Sequence, residues 1–258
     1  RVFGVMSHQT LDEFYDEEAL RQAGKQIEQA KGLVVIYGTG ASLVTEPDIL
    51  IYADLARWEC QCRHRAGETN WKVSNEEEDS LKKTKRGYFF EWRLCDRLKD
   101  KLYPEIDFLL DTNVPNDPKM VSGDDYRYGL SLAVEQPFRL VPYFDASVWG
   151  GQWMKEKFQL DPDADNFGWA FDGVPEENSL YLKYGDVRVE VPALNLVHQF
   201  PNELLGPRVH SRFGKEFPIR FDFLDTMGGG NLSLQVHPLT EYIQDKFGMH
   251  YTQDESYY

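Results

Sequence analysis

From residue 112 onward, short apolar runs alternate with turns rich in Gly, Pro and Asn: LVPYF, SLYLKYG, VRVEV, FPIRFDFLD and LSLQVHP. Side chains of a strand point alternately to its two faces, so runs of period 2 at this spacing read as half-buried strands. Several such strands separated by close turns predict an antiparallel barrel or sandwich. The second half of the chain is therefore expected to be all or mostly β.

The first half reads differently. TLDEFYDEEALRQAGKQIEQAK at 10–31 has helix-favouring residues with a loose apolar stripe. LVVIY at 33–37 is apolar, rich in β-branched residues, and enters a turn at Gly38-Thr39-Gly40, which reads as a buried parallel strand. ILIYAD at 49–54 repeats that pattern and ends on Asp54, and LARWECQCRHR follows as a helix. The block from Gly87 to Thr112 mixes a long helical pattern with a closing strand near 106–110. NEEEDSLKKTKR at 75–86 reads as a solvated loop or helix face, and TNVPNDPKMVSGDD as a linker. The expectation is an α+β chain of two domains: an α/β layer over 1–125 and the first part of an antiparallel β-barrel over 126–258.

Composition narrows the function. The 258 residues are 41% hydrophobic and 14% aromatic, enough to fill real cores. The net charge of −15 argues against nucleic acid and against an anionic membrane surface as partners. A small anionic substrate stays possible, since a few arginines can make a local positive pocket. No apolar run approaches the roughly 18 residues that a membrane span needs. Cys60, Cys62 and Cys95 are an odd, sparse set that suggests a reducing cytoplasm. Cys60, Cys62 and His64 share a helical stretch, where i and i+2 point apart, and read as structural residues. The chain starts at Arg1 and stops at TQDESYY, which reads as mid-strand, so both ends are expected to be cut.

LSLQVHP (232–238) carries the chemistry. In a strand, Ser233, Gln235 and His237 share one face, while Leu234 and Val236 face the barrel wall. Glu255 follows eighteen residues after His237. Amide oxygen, imidazole nitrogen and carboxylate oxygen together suit zinc or a similar divalent ion. A lone histidine in a strand is nonetheless more often a hydrogen-bonded residue than a ligand.

Further motifs join this one in order: VPYFDASVWGG (141–151), ENSLYLKYG (177–185), NELLGPRVHSRFGKEFPIRFDFLDT (202–226), then LSLQVHP. From about Leu140 to the end the chain resembles the class I mannose-6-phosphate isomerases, which are cupins. Each motif is weak alone; their shared order is the signal. The resemblance implies a cupin barrel, zinc held by Gln235, His237 and Glu255, and Ser233 near the substrate phosphate. It implies a fourth ligand and the proton-transfer residues beyond Tyr258. It implies aldose–ketose isomerisation of a small phosphosugar through an enediol, with the ion polarising the substrate oxygens. One departure stands out: the family's phosphate-holding lysine is here Asp222, and Arg220 on the same strand face is the expected replacement. That departure leaves a non-catalytic, sugar-binding or regulatory cupin as the alternative. A third reading concerns the first domain. Gly38, Gly40 and Asp54, with Arg57, Arg86, Arg93 and Arg97, resemble a P-loop kinase without its loop lysine, and imply a degenerate or kinase-like phosphotransferase.

Overall fold

A computed structural model describes residues 4–258. The chain mixes helix and sheet and divides into two compact units. One contains the described residues up to Tyr52, with Arg63–Asp107 and His237–Tyr258; the other contains Ala53–Cys62 and Phe108–Val236.

Helix α1 (Glu17–Gln29) begins where the Asp16 side chain accepts from the Ala19 N–H, satisfying one of the unpaired amides of its first turn. Strand β1 (Ile51–Asp54), helix α2 (Arg57–Arg65), helix α3 (Ser80–Arg86), helix α4 (Trp92–Leu102) and strand β2 (Phe108–Asp111) follow. Asp107 N–H donates to Leu50 O (3.0 Å) and Thr112 N–H to Asp54 O (3.2 Å). The two strands therefore advance in the same direction, with helices in the connection between them. This is the strand–helix alternation the sequence predicts.

Three expectations need correction here. LVVIY forms no strand, and Leu33 is 94% exposed. A short apolar run says nothing by itself about whether another strand will pair with it. NEEEDSLKKTKR is not wholly solvated: α3 starts on the Asp79 cap, and Lys83 within it is only 1% exposed, its ammonium donating to Glu76 O at 2.6 Å. The stretch read as a linker instead joins β2 to strand β3 (Lys119–Ser122), which pairs antiparallel with β2 and leads into helix α5 (Gly123–Val134).

Strand β4 (Tyr143–Asp145), helix α6 (Trp153–Lys157), strands β5 (Trp169–Gly173), β6 (Ser179–Tyr184) and β7 (Val187–Pro192), helices α7 (Leu194–Gln199) and α8 (Pro201–Phe213), strand β8 (Phe221–Leu224) and helix α9 (Thr240–Phe247) complete the order. Beside the β1-β2-β3 sheet lie a β4-β5-β8 sheet and a β6-β7 hairpin. The β6 and β7 faces that bury Leu180, Leu182, Val189 and Val191 supply much of the second unit's core, with Tyr126, Leu130, Leu196 and Val197. At about 25 cal/mol per Å² of apolar surface, such burial is the main driving force for this unit.

Four of the five short runs thus contribute strands. The fifth, LSLQVHP, does not: residues 231–239 have no strand pairing, and Leu234 and Val236 are 94% and 84% exposed rather than turned into a wall. Alternation makes a strand possible, but paired backbone groups are what hold one. The sheets stay open, and no closed barrel is present among the described residues.

Candidate functional site

His237 and Glu255 are brought together by the chain between them. Helix α9 ends at Gly248, in the left-handed conformation, and the chain then turns back. Gln244 Nε2 donates to His250 O (2.8 Å), and the Thr252 hydroxyl donates to Pro238 O. These contacts lay residues 252–255 along 237–238. His237 Nε2 and Glu255 Oε2 meet at 2.5 Å, both partly open to solvent. A hydrogen bond from Tyr257, with a second from His237, holds the Glu255 carboxyl below its usual range. An ionised carboxylate and an imidazole nitrogen in contact are both metal-competent donors. Ser233 and Gln235 stand exposed in the extended segment before them. Among the described residues, no three His, Cys, Asp or Glu side chains gather as a metal site.

Arg220, the expected phosphate anchor, lies one residue before β8. Its Nη2 donates to Glu176 Oε1 at 3.0 Å. Glu176 is 8% exposed, and its Oε2 is buried with no hydrogen-bond partner among the described residues. The adjacent Glu177 accepts from the Tyr143 hydroxyl. Burial first, then the like charges of Glu176 and Asp145, push the Glu177 carboxyl above its ordinary range; Tyr143 and Arg220 oppose the shift. Burial and Glu177 likewise push the Tyr143 hydroxyl up.

The strand register carries this cluster onto a platform. Tyr143 lies opposite Phe171, and Phe171 opposite Asp222, so the three form one row on one face. Trp58 stacks on Tyr143 (4.3 Å, 18°), Tyr143 on Phe171 (4.7 Å, 19°), and Phe171 on Trp169 (5.4 Å, 16°). Asp222, the departure from the family's lysine, is thus seated beside stacked aromatic rings. Tyr143 and Glu177 lie within the motifs VPYFDASVWGG and ENSLYLKYG, but neither motif singles them out, and Glu176 falls just outside.

Two other motif residues are structural. Asp225, after β8, accepts from Met154 N–H (2.8 Å) through Oδ2 and from Met227 N–H (2.9 Å) through Oδ1. Gly151 N–H donates to Asp225 O at 2.6 Å. A Cβ on Gly151 would lie 2.3 Å from Asp225 Oδ1 and 2.6 Å from Met227 N, which explains the glycine of WGG.

The glycine turn of the first half is also accounted for. Gly40 has φ of 82°, and a Cβ there would sit 2.8 Å from the Tyr15 hydroxyl, which donates to Thr39 O. The turn leads into a single 3-10 turn, Ala41–Leu43, while Gly38 is exposed. Asp54 is buried and accepts from Asn195 Nδ2 (2.8 Å) and Leu55 N–H (3.1 Å). Arg86 Nε pairs with Glu91 (3.2 Å), Arg93 Nε donates to Tyr88 O (3.1 Å), and Arg97 Nη1 to Gln9 O (2.7 Å). Arg57 is buried. Arg86, Arg93 and Arg97 thus serve acceptors of their own surroundings.

Residues 1–135 match the model of the family described as Domain of unknown function (DUF8485). That is more than half of the chain, which belongs to this family. No curated protein and no solved structure matches it.

Proposed function

We propose that the chain belongs to a metal-dependent isomerase of a small phosphosugar, of the type that interconverts mannose 6-phosphate and fructose 6-phosphate. The observation that supports this most is the His237–Glu255 contact at 2.5 Å. The resemblance pairs these two residues as ligands of one ion, and the chain between them returns to make a contact eighteen positions on. Gln235 is the third donor of the set, and the cupin barrel is the fold in which the resemblance places it. Zinc or a similar ion, when bound, would supply Lewis-acid polarisation of the sugar's carbonyl and hydroxyl oxygens. The chain's own part is to hold the Glu255 carboxyl below its usual range through Tyr257 and to set the His237 imidazole nitrogen against it. Ser233 and Arg220 are the residues proposed to orient the phosphosugar.

A second reading, a sugar-binding protein without turnover, has one observation in its favour. Asp222 stands where the family holds phosphate with a lysine, and Arg220 is already engaged by Glu176. The two readings separate in one experiment: conversion of mannose 6-phosphate to fructose 6-phosphate, zinc-loaded and after chelation, beside calorimetric binding of the same sugar. Zinc-dependent conversion supports the isomerase. Binding without conversion by folded, zinc-loaded protein overturns it in favour of the second reading.

A further inference from the structure

Strand β8 is an edge of its sheet: among the described residues its strand neighbour is β5 alone. One face of β8, with the residues leading into it, is apolar and open. Ile219, Phe221 and Phe223 are 66%, 57% and 49% exposed. A spacing of two puts these side chains in one row, and the Phe221 and Phe223 rings meet edge to face at 4.9 Å. Arg220 and Asp222 alternate with them on the opposite face. Asp225 N–H donates to Gly168 O at 2.9 Å, so the backbone groups of Phe223 and Phe221 also turn towards β5. Those of Asp222 and Arg220 turn to the outer edge.

An edge strand with an open apolar row is a template for another strand. We infer that its occupant is the β8 strand of a second copy of this chain, added antiparallel about a two-fold axis through Phe221. Charge complementarity names the partner. That axis sets Arg220 opposite Asp222 of the second copy, and Asp222 opposite Arg220 of the second copy. On the other face Ile219 meets Phe223, and Phe221 meets its own counterpart. Moving the axis one residue either way opposes like charges, Asp222 to Asp222 or Arg220 to Arg220, which is unfavourable. A guanidinium carries five N–H donors, so Arg220 can serve a second carboxylate as well as Glu176. The same patch serves both partners, as a closed two-fold interface requires. One short strand pair covers less than the roughly 800 Å² per partner of a standard interface, so the dimer is weak and reversible. This assembly does not depend on the isomerase reading.

Sedimentation velocity of the whole chain, from about 5 µM to about 500 µM, should show a reversible monomer–dimer equilibrium. Phe221→Lys sets two ammonium groups against each other on the axis and should raise the dissociation constant at least about tenfold. Cysteine cross-linking reads the register. Residues at a non-hydrogen-bonded antiparallel pair have Cα atoms about 4.5 Å apart, within disulfide reach. An offset of four residues separates them by about 13 Å. Phe221→Cys should therefore give a disulfide-linked dimer on oxidation, with the link between the two copies of that position seen by peptide mass spectrometry. Phe223→Cys, four residues out of register with its own counterpart, should not. Should Phe221→Lys fail to fold, the two cysteine variants still decide. A dimer indifferent to Phe221→Lys, or a link in Phe223→Cys as strong as in Phe221→Cys, would overturn the inference. A chain monomeric at every concentration would also overturn it and give the apolar row to a different protein.

Discussion

The His237–Glu255 pair and the Tyr143–Glu177–Glu176–Arg220 cluster both join an acid to a partner far away in sequence, yet they are built oppositely. The first sits on irregular, partly open chain and is held by a few hydrogen bonds across a turn. The second is embedded in strand register and aromatic stacking, with one carboxylate oxygen buried and unmatched. An open pair can exchange its mutual contact for a ligand at small structural cost. A packed cluster resists rearrangement, so its substitutions register first as stability. Placement, more than residue type, separates a pair open to a ligand from one locked by packing.

The largest effect should come from His237→Ala. Under the proposed isomerase function, zinc-dependent sugar conversion should fall by more than about 100-fold, since even residues that only orient ligands cost about 10- to 100-fold. The melting temperature without metal should barely move. A large drop in metal-free stability would break the comparison, because the open pair would then be structural.

Arg220→Met tests the other side. It leaves Glu176 buried without its counter-charge, and urea unfolding should show a loss of about 1–3 kcal/mol. A stable variant with altered sugar affinity would mean that Arg220 acts through substrate binding, as proposed above, and not through the packing of Glu176.

A smaller effect is expected from Glu177→Gln, and it depends on pH. The carboxyl is pushed up in the folded state, so folded protein holds that proton more tightly than unfolded protein does. Its contribution therefore becomes destabilising as pH rises through the ordinary carboxylate range towards the raised value. Below that range the penalty is absent. The amide variant should thus melt a few degrees higher than the parent near neutral pH and show no advantage in acid. The amide oxygen still accepts from Tyr143, which keeps the comparison clean. An advantage that persists at low pH would mean the gain is not electrostatic.

The smallest effect should be that of Tyr143→Phe. It removes one hydroxyl while keeping the stacking on Trp58 and Phe171, for a cost of about 1 kcal/mol by thermal unfolding.

Much of the local structure was legible in sequence. The segments around Ile51–Asp54, Arg57–Arg65, Trp92–Leu102 and Phe108–Asp111 carry their period and length on their face. LVVIY and LSLQVHP carry equally clear patterns and form no strands. Pattern reports which faces a segment could offer, whereas strand formation depends on a neighbour whose position is not local information. The candidate residues divide in the same way. His237 and Glu255 came from a motif whose order could be read along the chain. Tyr143 and Glu177 are 34 residues apart and meet only once the chain has folded. Asp222 was visible as a departure, but its place beside Phe171 depends on the β5–β8 register.

The meeting of Gly150 and Gly151 with Asp225 and Gly229 acts as a rivet between two stretches of chain. A Cβ on Gly229 would fall 2.4 Å from Trp149 O, so both stretches must be bare of side chains where they cross. Asp225 then clamps the crossing from both carboxylate oxygens. The segment carrying Ser233 and Gln235 therefore leaves from a fixed origin, however far its own residues stand out. Its reach is calibrated at the root, and a methyl group at Gly151 would shift the aim of residues eighty positions along the chain.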